Sequence, residues 1–400
     1  MKIVLFSFYF PPDLGAGSFR AEALCNSLKK KLNSNDEIHV ISSHPNRYIT
    51  HLKHAEDIER DGIIKVHRIK VPLHNRSMIS QIRTFIVFAF YAVKLSRELK
   101  PDFLIGTSSR LMTGLLTFFC SRIQGINYYI DLRDIFSESI SDVLALKNRF
   151  IGLIMKYFFV FLEKQVLKSA SAVNVVSKGF PEYFENLGLN TSNWSFFPNG
   201  VDKEFMNIFS TQIKKKKKIK TILYAGNIGI GQGLEKIIPD ILRGLDSNFR
   251  FLIIGDGGSL NKLKKNIPNS LECSVEFLLP IERKNLLQYY KEADILFLHL
   301  NSIQAFKRVL PSKIFEYASM GKPIIAGVSG FSEEFIRGNI PYAFVFEPCD
   351  SQHAIKLILE ASNCEVSRIS VNEFKENYSR ERIMNRMANN IISVIDQSNE

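Results

Sequence analysis

Lys313 and Glu316 stand one helical turn apart in the stretch FKRVLPSKIFEYASMGKPII (306–325), just after a proline and a serine that suit a helix start. A cation in the first turn with a carboxylate one turn later suits a nucleotide: ammonium to the diphosphate, carboxylate to ribose hydroxyls. Ser312 can cap the helix or bond a phosphate. An ordinary surface ion pair fits the same spacing.

Two glycine-bearing turns offer related chemistry. FYFPPDLGAGSFR (8–20) follows an apolar run and precedes a helical pattern. Gly15 and Gly17 let the backbone approach a ligand closely, and a helix starting near Ser18 presents free N–H groups with about half a positive charge. A phosphate is the natural occupant; a plain connecting turn with an N-cap serine fits as well. Arg20 would reach a phosphate or pair with a surface acid. YAGNIGIGQGLE (224–235) repeats the style with Gly226, Gly229, Gly231 and Gly233, although its spacing is not the GxGxxG of a dinucleotide fold. Gly255, Asp256, Gly257 and Gly258 suit either a ribose-binding acid or a tight turn without a ligand.

These turns need strands before them and helices after them, and the chain supplies both. KIVLFSFYF, EIHVISS, IIKVHRIKV, PDFLIGTS, INYYIDLRD and SAVNVVS read as strands of a first half, with helical spacing in SFRAEALCNSLKKKL and around 81–98. After FFPNGVD (196–202) and a lysine run at 214–218, read as a solvated linker, the alternation restarts with KTILYAGN, FRFLIIGDGG, VEFLLP, ADILFLHL and KPIIAGVSG. GLEKIIPDILRGL and SKIFEYASMG are helices between them. This predicts two successive α/β domains with parallel sheets joined near 200–220, and a last helix at about 379–396 that could pack on either. Ligands in such sheets lie at the carboxyl ends of strands, so each strand-to-helix turn is a candidate site.

Composition narrows the class. The 400 residues exceed one ordinary core, and at roughly 150 residues per domain suggest two or three domains. Five scattered cysteines without a CxxC pair argue against a disulfide framework or a zinc site. His51 and His54, one helical turn apart, lack a third ligand. A net charge of +12 points to an anionic partner: nucleic acid, acidic membrane or phosphorylated substrate. The lysines cluster without interleaved aromatics, which disfavours nucleic acid. MKIVLFSFYFPP reads as a first strand and not as a signal peptide, and no stretch reaches the roughly 20 apolar residues of a membrane span. RFIGLIMKYFFVFLEKQVLKSA (149–170) has a broad apolar face opposite Arg149, Lys156, Lys164 and Lys168, as a membrane-surface helix or a core-facing helix would. Residues 81–94, with Phe85, Phe88, Phe90 and Tyr91, raise the same choice. Core packing is the expectation for both.

In combination, PPDLGAGSFR, DLRD, NGVD, AGNIGIGQGLE, IGDG and PSKIFEYASMGKP resemble the family-4 retaining glycosyltransferases of GT-B type. Within them the chain is most similar to bacterial O-antigen and capsule enzymes like N-acetylfucosaminyltransferases, from Met1 to about residue 390. The resemblance implies two Rossmann-like domains facing a cleft, an acceptor-binding domain at 1–200, a nucleotide-sugar-binding domain at 201–378, and a helix at 379–400 crossing back onto the first. It assigns Gly15, Gly17, Gly226, Asn227, Gly257, Arg308, Ser312, Lys313 and Glu316 to the donor, with Glu316 on the ribose and Lys313 on the diphosphate. Asp13, Arg20, Arg133 and Asp134 are assigned to the acceptor, and Asp131, Lys313 and Glu316 to catalysis. The chain departs from the family twice. Arg308 stands where the widespread pattern has a carboxylate, and Asn227 and Gln232 stand where it has arginine and lysine. Lys313 and Arg308 are expected to supply the missing cations.

The resemblance further implies transfer of a sugar such as N-acetyl-L-fucosamine from a UDP donor to a polyprenyl-diphosphate-linked saccharide. The site would be cytoplasmic, with a basic first domain docked on the anionic inner leaflet. No Asp-x-Asp occurs in the chain, so no metal or other cofactor is expected. A sugar-nucleotide epimerase of the same fold and a catalytically inactive membrane-associated scaffold are the competing readings.

Overall fold

The structure is a computed structural model and describes residues 1–13, 15–46, 54–72, 78–108, 111–135, 137, 149–208 and 218–399. His51 and the lysines at 214–217 lie outside these residues. The chain divides into two units, residues 1–199 with 380–400, and residues 200–379.

The first unit runs β1 (Lys2–Phe6), α1 (Ala16–Lys29), β2 (Glu37–Ser43), β3 (Ile58–Asp61), β4 (Ile64–Ile69), α2 (Met78–Leu99), β5 (Phe103–Ser108), α3 (Leu111–Gln124), β6 (Tyr128–Leu132), α4 (Arg149–Lys168), β7 (Ala172–Val175), α5 (Pro181–Glu185) and β8 (Ser195–Phe196). Its strand order is β3-β4-β2-β1-β5-β6-β7-β8. The central strands are buried along their length because helices cover both faces, which is why they read as unbroken apolar runs. The expected parallel sheet carries one antiparallel edge: β3 pairs with β4 through the Asp61-Gly62 turn, where Gly62 has φ of 60°. The chain re-enters this unit as its last helix, Arg380–Asn399, which packs Met384, Met387, Ala388 and Ile391 inward and lies against α1.

The second unit contains α6 (Lys203–Met206), β9 (Lys220–Ala225), α7 (Leu234–Gly244), β10 (Phe249–Ile254), α8 (Leu260–Asn266), β11 (Val275–Leu278), α9 (Arg283–Glu292), β12 (Ile295–His299), α10 (Lys313–Ser319), β13 (Ile324–Gly327), α11 (Phe331–Asn339), β14 (Ala343–Phe346), α12 (Ser351–Ala361) and α13 (Arg368–Asn377). Six strands pair in parallel in the order β11-β10-β9-β12-β13-β14. The strand order reverses between β9 and β12, the place where an open α/β sheet leaves a crevice for a ligand. In the first unit the same reversal falls between β1 and β5.

The expectation that the 81–94 and 149–170 helices turn their apolar faces to the core is corrected. Phe85 and Phe88 are buried, but Phe90 and Tyr91 are exposed, and so are Leu153, Ile154, Tyr157, Phe158 and Phe161. What α4 buries is Glu163, Val166 and Leu167, with Glu163 accepting a hydrogen bond from Ser137.

Candidate active site

In the second unit α10 begins directly after Pro311 and Ser312, and Ile314, Phe315, Tyr317 and Ala318 anchor it in the core. That anchoring fixes where Lys313 and Glu316 point. Lys313 Nζ donates to Glu316 Oε2 at 2.7 Å and to the Tyr290 hydroxyl at 2.9 Å, and Tyr290 in turn donates to Glu316 Oε2 at 2.9 Å. Arg283 Nη2 lies 3.6 Å from Glu316 Oε1 and ion-pairs with Asp202. Burial pushes the Glu316 carboxyl up, but the charges of Lys313 and Arg283 and the hydrogen bonds of Lys313 and Tyr290 outweigh it, leaving the group below its ordinary range. Burial beside the Glu316 carboxylate holds the Tyr290 phenol well above its ordinary value, so it stays a donor. The spacing read as a nucleotide pair or a surface ion pair is therefore a half-buried network with a charge on each side. Tyr290, Arg283 and Asp202 were absent from the candidate residues; a lone Arg-Lys and a Tyr-Tyr pair on α9 give no signal until the fold brings them to α10.

Tyr317, next to Glu316, accepts the N–H of Ala225 at 3.0 Å and so ties α10 to the end of β9, where the glycine turn begins. In that turn Asn227 Nδ2 donates to Gln232 Oε1 at 2.8 Å, and the Gly229 N–H donates to the same oxygen at 3.2 Å. The two residues at the family's cationic positions thus brace each other. From the end of β12, His299 Nδ1 pairs with the Gln232 carbonyl at 2.6 Å, and Asn301 Nδ2 donates to the Ile230 carbonyl at 2.8 Å. The Cys349 N–H donates to His299 Nε2 at 2.9 Å, which fixes the tautomer with the proton on Nδ1. The loop is held in shape from behind.

Gly255 and Gly257 serve this same loop. A Cβ on Gly255, whose φ is 151°, would fall 1.9 Å from the Gly226 carbonyl oxygen; one on Gly257 would fall 2.2 Å from that of Ile228. The close approach is between two backbone turns, which Ile228 N–H to Asp256 O (3.0 Å) and Gly226 N–H to Ile254 O (2.9 Å) lock together. Ser312 occupies the N-cap position of α10 without a side-chain cap bond, and Arg308 is half-buried at the end of the short turn Gln304–Arg308.

In the first unit α1 starts at Ala16, with extended Gly15 as its N-cap, so Ser18 lies inside the helix and is not the expected cap. Its side chain is buried and its hydroxyl has no partner among the described residues. A Cβ on Gly17 would lie 2.1 Å from Arg133 Nη1: this glycine makes room for a guanidinium. Asp13 is buried in the turn, and Arg133 and Asp134 are half-buried after β6.

Asp131 and Arg20 are paired inside the first unit. Arg20 Nε and Nη2 donate to the two Asp131 oxygens at 2.7 and 2.9 Å, and the remaining guanidinium donors reach the carbonyls of Pro198 and Phe197. Asn174, opposite Asp131 on β7, donates to Asp131 at 2.6 Å and accepts the Phe197 N–H at 2.7 Å. Both charged side chains are about 1% exposed. Arg20 reaches no surface acid, and its contacts with Asp131 join α1, β6, β7 and the 197–198 segment.

Residues 206–381 match the family model described as glycosyl transferases group 1. WcaI of Escherichia coli strain K12, a glycosyl transferase named for colanic acid biosynthesis, is 23% identical over 352 residues, 83% of this chain and 84% of its own. Among solved structures, WaaG, a glycosyltransferase involved in lipopolysaccharide biosynthesis, superposes with a TM-score of 0.67 at 11% identity, covering 96% of this chain and 98% of its own. Anabaena HepE, solved with UDP and glucose, gives 0.68 at 14% identity, covering 98% and 99%. Residues 206–381 are a glycosyl transferases group 1 domain, and the chain is a glycosyltransferase of GT-B fold.

Proposed function

We propose that the chain transfers a sugar, with retention of anomeric configuration, from a UDP-linked donor to a polyprenyl-diphosphate-linked saccharide in the assembly of an O-antigen, capsule or similar bacterial polysaccharide. The observation that carries the donor half is the Lys313–Glu316–Tyr290–Arg283 network at the strand-order reversal of the second unit. The solved HepE complexes with UDP and the colanic acid assignment of WcaI support the reading. An amino sugar such as N-acetyl-L-fucosamine is the proposed cargo.

In this reading the ribose hydroxyls donate to the Glu316 carboxylate, which Arg283 and Lys313 keep ionised. Lys313 turns its ammonium to the diphosphate, and the N-terminus of α7 adds its dipole. Each donor aimed at the departing diphosphate is worth on the order of 10² to 10³ in rate, by analogy with oxyanion donors. The donor phosphate itself takes the acceptor proton on the face where it leaves, so no side chain acts as a covalent nucleophile. The chain contains no Asp-x-Asp, and no group of three metal-ligating side chains occurs among the described residues. Turnover is accordingly proposed to survive EDTA; loss restored by magnesium would contradict this.

Thermal unfolding with UDP, GDP, CMP and NADH tests the donor site. UDP at about 100 times its dissociation constant should stabilise by roughly 2.7 kcal/mol, and Glu316→Ala should abolish the effect. A shift that survives Glu316→Ala would place the nucleotide elsewhere.

A further inference from the structure

The Arg283 guanidinium beside Glu316 is itself held from behind. Asp202 and Phe205 belong to the segment that opens the second unit, and both reach Arg283. The Asp202 carboxylate accepts from Nη2, and the guanidinium carbon lies 5.0 Å from the centroid of the Phe205 ring. Phe205 is fully buried and packs on the ring of Tyr290, 6.0 Å between centroids, the residue whose hydroxyl donates to Glu316. Arg283 and Tyr290, which both face Glu316, therefore take their positions from residues 202–205.

That segment has little regular structure of its own. α6 is a single turn of four residues, too short to satisfy its last carbonyls internally. Lys375 of α13 supplies the missing donors. Its ammonium donates to the Met206 carbonyl at 3.2 Å and to that of Ile208, and the residue is 3% exposed. An ammonium is costly to bury, and a methionine would fill similar space without that cost. What the ammonium adds is a grip on two backbone oxygens. Its neighbour Phe374 packs on Phe315 of α10, ring centroids 6.2 Å apart, one residue before Glu316. α13 thus holds the network from two sides, α10 through Phe374 and the 202–208 segment through Lys375.

We infer that Lys375 is a positioning residue for the donor carboxylate. By gripping Met206 and Ile208 it fixes Asp202 and Phe205, and through them Arg283 and Tyr290, against Glu316. It touches no substrate itself. The inference rests on the donor-site reading and extends that site to a buried cation behind it.

Calorimetric titration of the full chain with UDP tests it. Lys375→Met should raise the dissociation constant about ten-fold, the worth of roughly one hydrogen bond to a charged group. Val371→Ala, which trims a buried side chain of the same helix, should lower the unfolding temperature and leave that constant unchanged. 2′,3′-Dideoxyuridine diphosphate lacks the hydroxyls assigned to Glu316 and should bind wild type and Lys375→Met alike. Lys375→Met added to Asp202→Asn should lose little further affinity, because both act along one path. The pH profile gives a second readout. Burial, with the charge of Arg368 on the same helix, pushes the Lys375 ammonium down to about 8, and the groups it faces on the 202–208 segment are neutral carbonyls. Wild-type UDP binding should weaken from about pH 7 to about pH 9 as that proton is lost, and by more than in Lys375→Met, which has none to lose. If Lys375→Met does not fold, Lys375→Arg, which stays charged, should bind UDP as the wild type does and lack the alkaline weakening; a wild-type alkaline profile there would overturn the inference. Wild-type UDP affinity in a folded Lys375→Met, or full additivity with Asp202→Asn, would overturn it while Glu316→Ala still loses UDP and the donor site stands. UDP affinity untouched by Glu316→Ala would overturn the donor-site reading and this inference with it.

Discussion

Arg283 stands 3.6 Å from Glu316 and ion-pairs with Asp202, so one guanidinium serves two carboxylates brought together by α9, α10 and the start of the second unit. With Lys313, it is what keeps Glu316 ionised despite burial. A carboxyl held below its unfolded value stabilises the fold above that value, and the benefit is lost as pH falls through the folded one. Arg283→Met keeps the bulk and removes the charge. The Glu316 carboxyl should then titrate higher, and the acid limb of UDP binding should move to higher pH. Calorimetric dissociation constants across the acid range check this; an acid limb left in place would remove Arg283 from the donor site.

His299 makes a second pH-dependent contact. Burial pushes its imidazole down to about 4, and both ring nitrogens are used by the Gln232 carbonyl and the Cys349 N–H. The unfolded chain, with an ordinary histidine near 6.5, binds the proton first. Stability therefore rises with pH through this window and is lost as pH falls from about 6.5 towards 4, by up to about 3 kcal/mol. His299→Gln carries no titrating group, so its acid-induced loss should be flatter than the wild type's in urea melts. Parallel profiles would show that the histidine is not the titrating strut.

Gly255 and Gly17 should respond differently to alanine. At Gly255 the new Cβ meets a backbone oxygen and φ is 151°, so neither neighbour nor backbone can yield cheaply. Gly255→Ala should cost about 1–3 kcal/mol and weaken UDP binding by disturbing the 226–233 turn. At Gly17 the Cβ meets the mobile end of Arg133. Gly17→Ala should leave the unfolding temperature within a few degrees of wild type, since alanine suits a helix better by about 0.5–1 kcal/mol. Turnover should nonetheless fall, because Arg133 is displaced from its proposed acceptor contact. Thermal melts and initial rates on both variants separate the two cases, and unchanged turnover by Gly17→Ala would detach Arg133 from the acceptor.

Local signals were legible where local physics decides. Period two in IIKVHRIKV and the apolar runs of β9, β10 and β12 announced strands, and PSKIFEYAS announced both a helix and its Lys313–Glu316 pair. β14 (AFVF) was missed because four residues after a proline offer too short a pattern. β3 was missed although the Asp-Gly turn beside it is a hairpin signal. In α4 periodicity separates two faces without naming which one meets the sheet; Glu163 is buried with a hydrogen bond from Ser137, and Phe161 is exposed. Glycine-rich turns look alike whether they cradle a ligand or, as at Gly255 and Gly257, another turn.

Arg20 and Asp131 lie 111 positions apart in the chain, a separation no spacing rule bridges. Buried together, they satisfy the requirement that an interior charge be paired and fully hydrogen-bonded, with Asn174 and the 197–198 carbonyls completing the set. Removing one partner leaves the other charged and buried, at a cost of about 3–5 kcal/mol. Arg20→Met and Asp131→Leu should each lower the urea midpoint of the first unit by a corresponding amount. The double variant should recover much of the loss, since two apolar side chains leave no orphan charge. UDP-induced stabilisation of the second unit should persist in all three, because none of these residues belongs to it. If Asp131→Asn instead kept full stability while turnover collapsed, Asp131 would be acting on substrate and not as a latch.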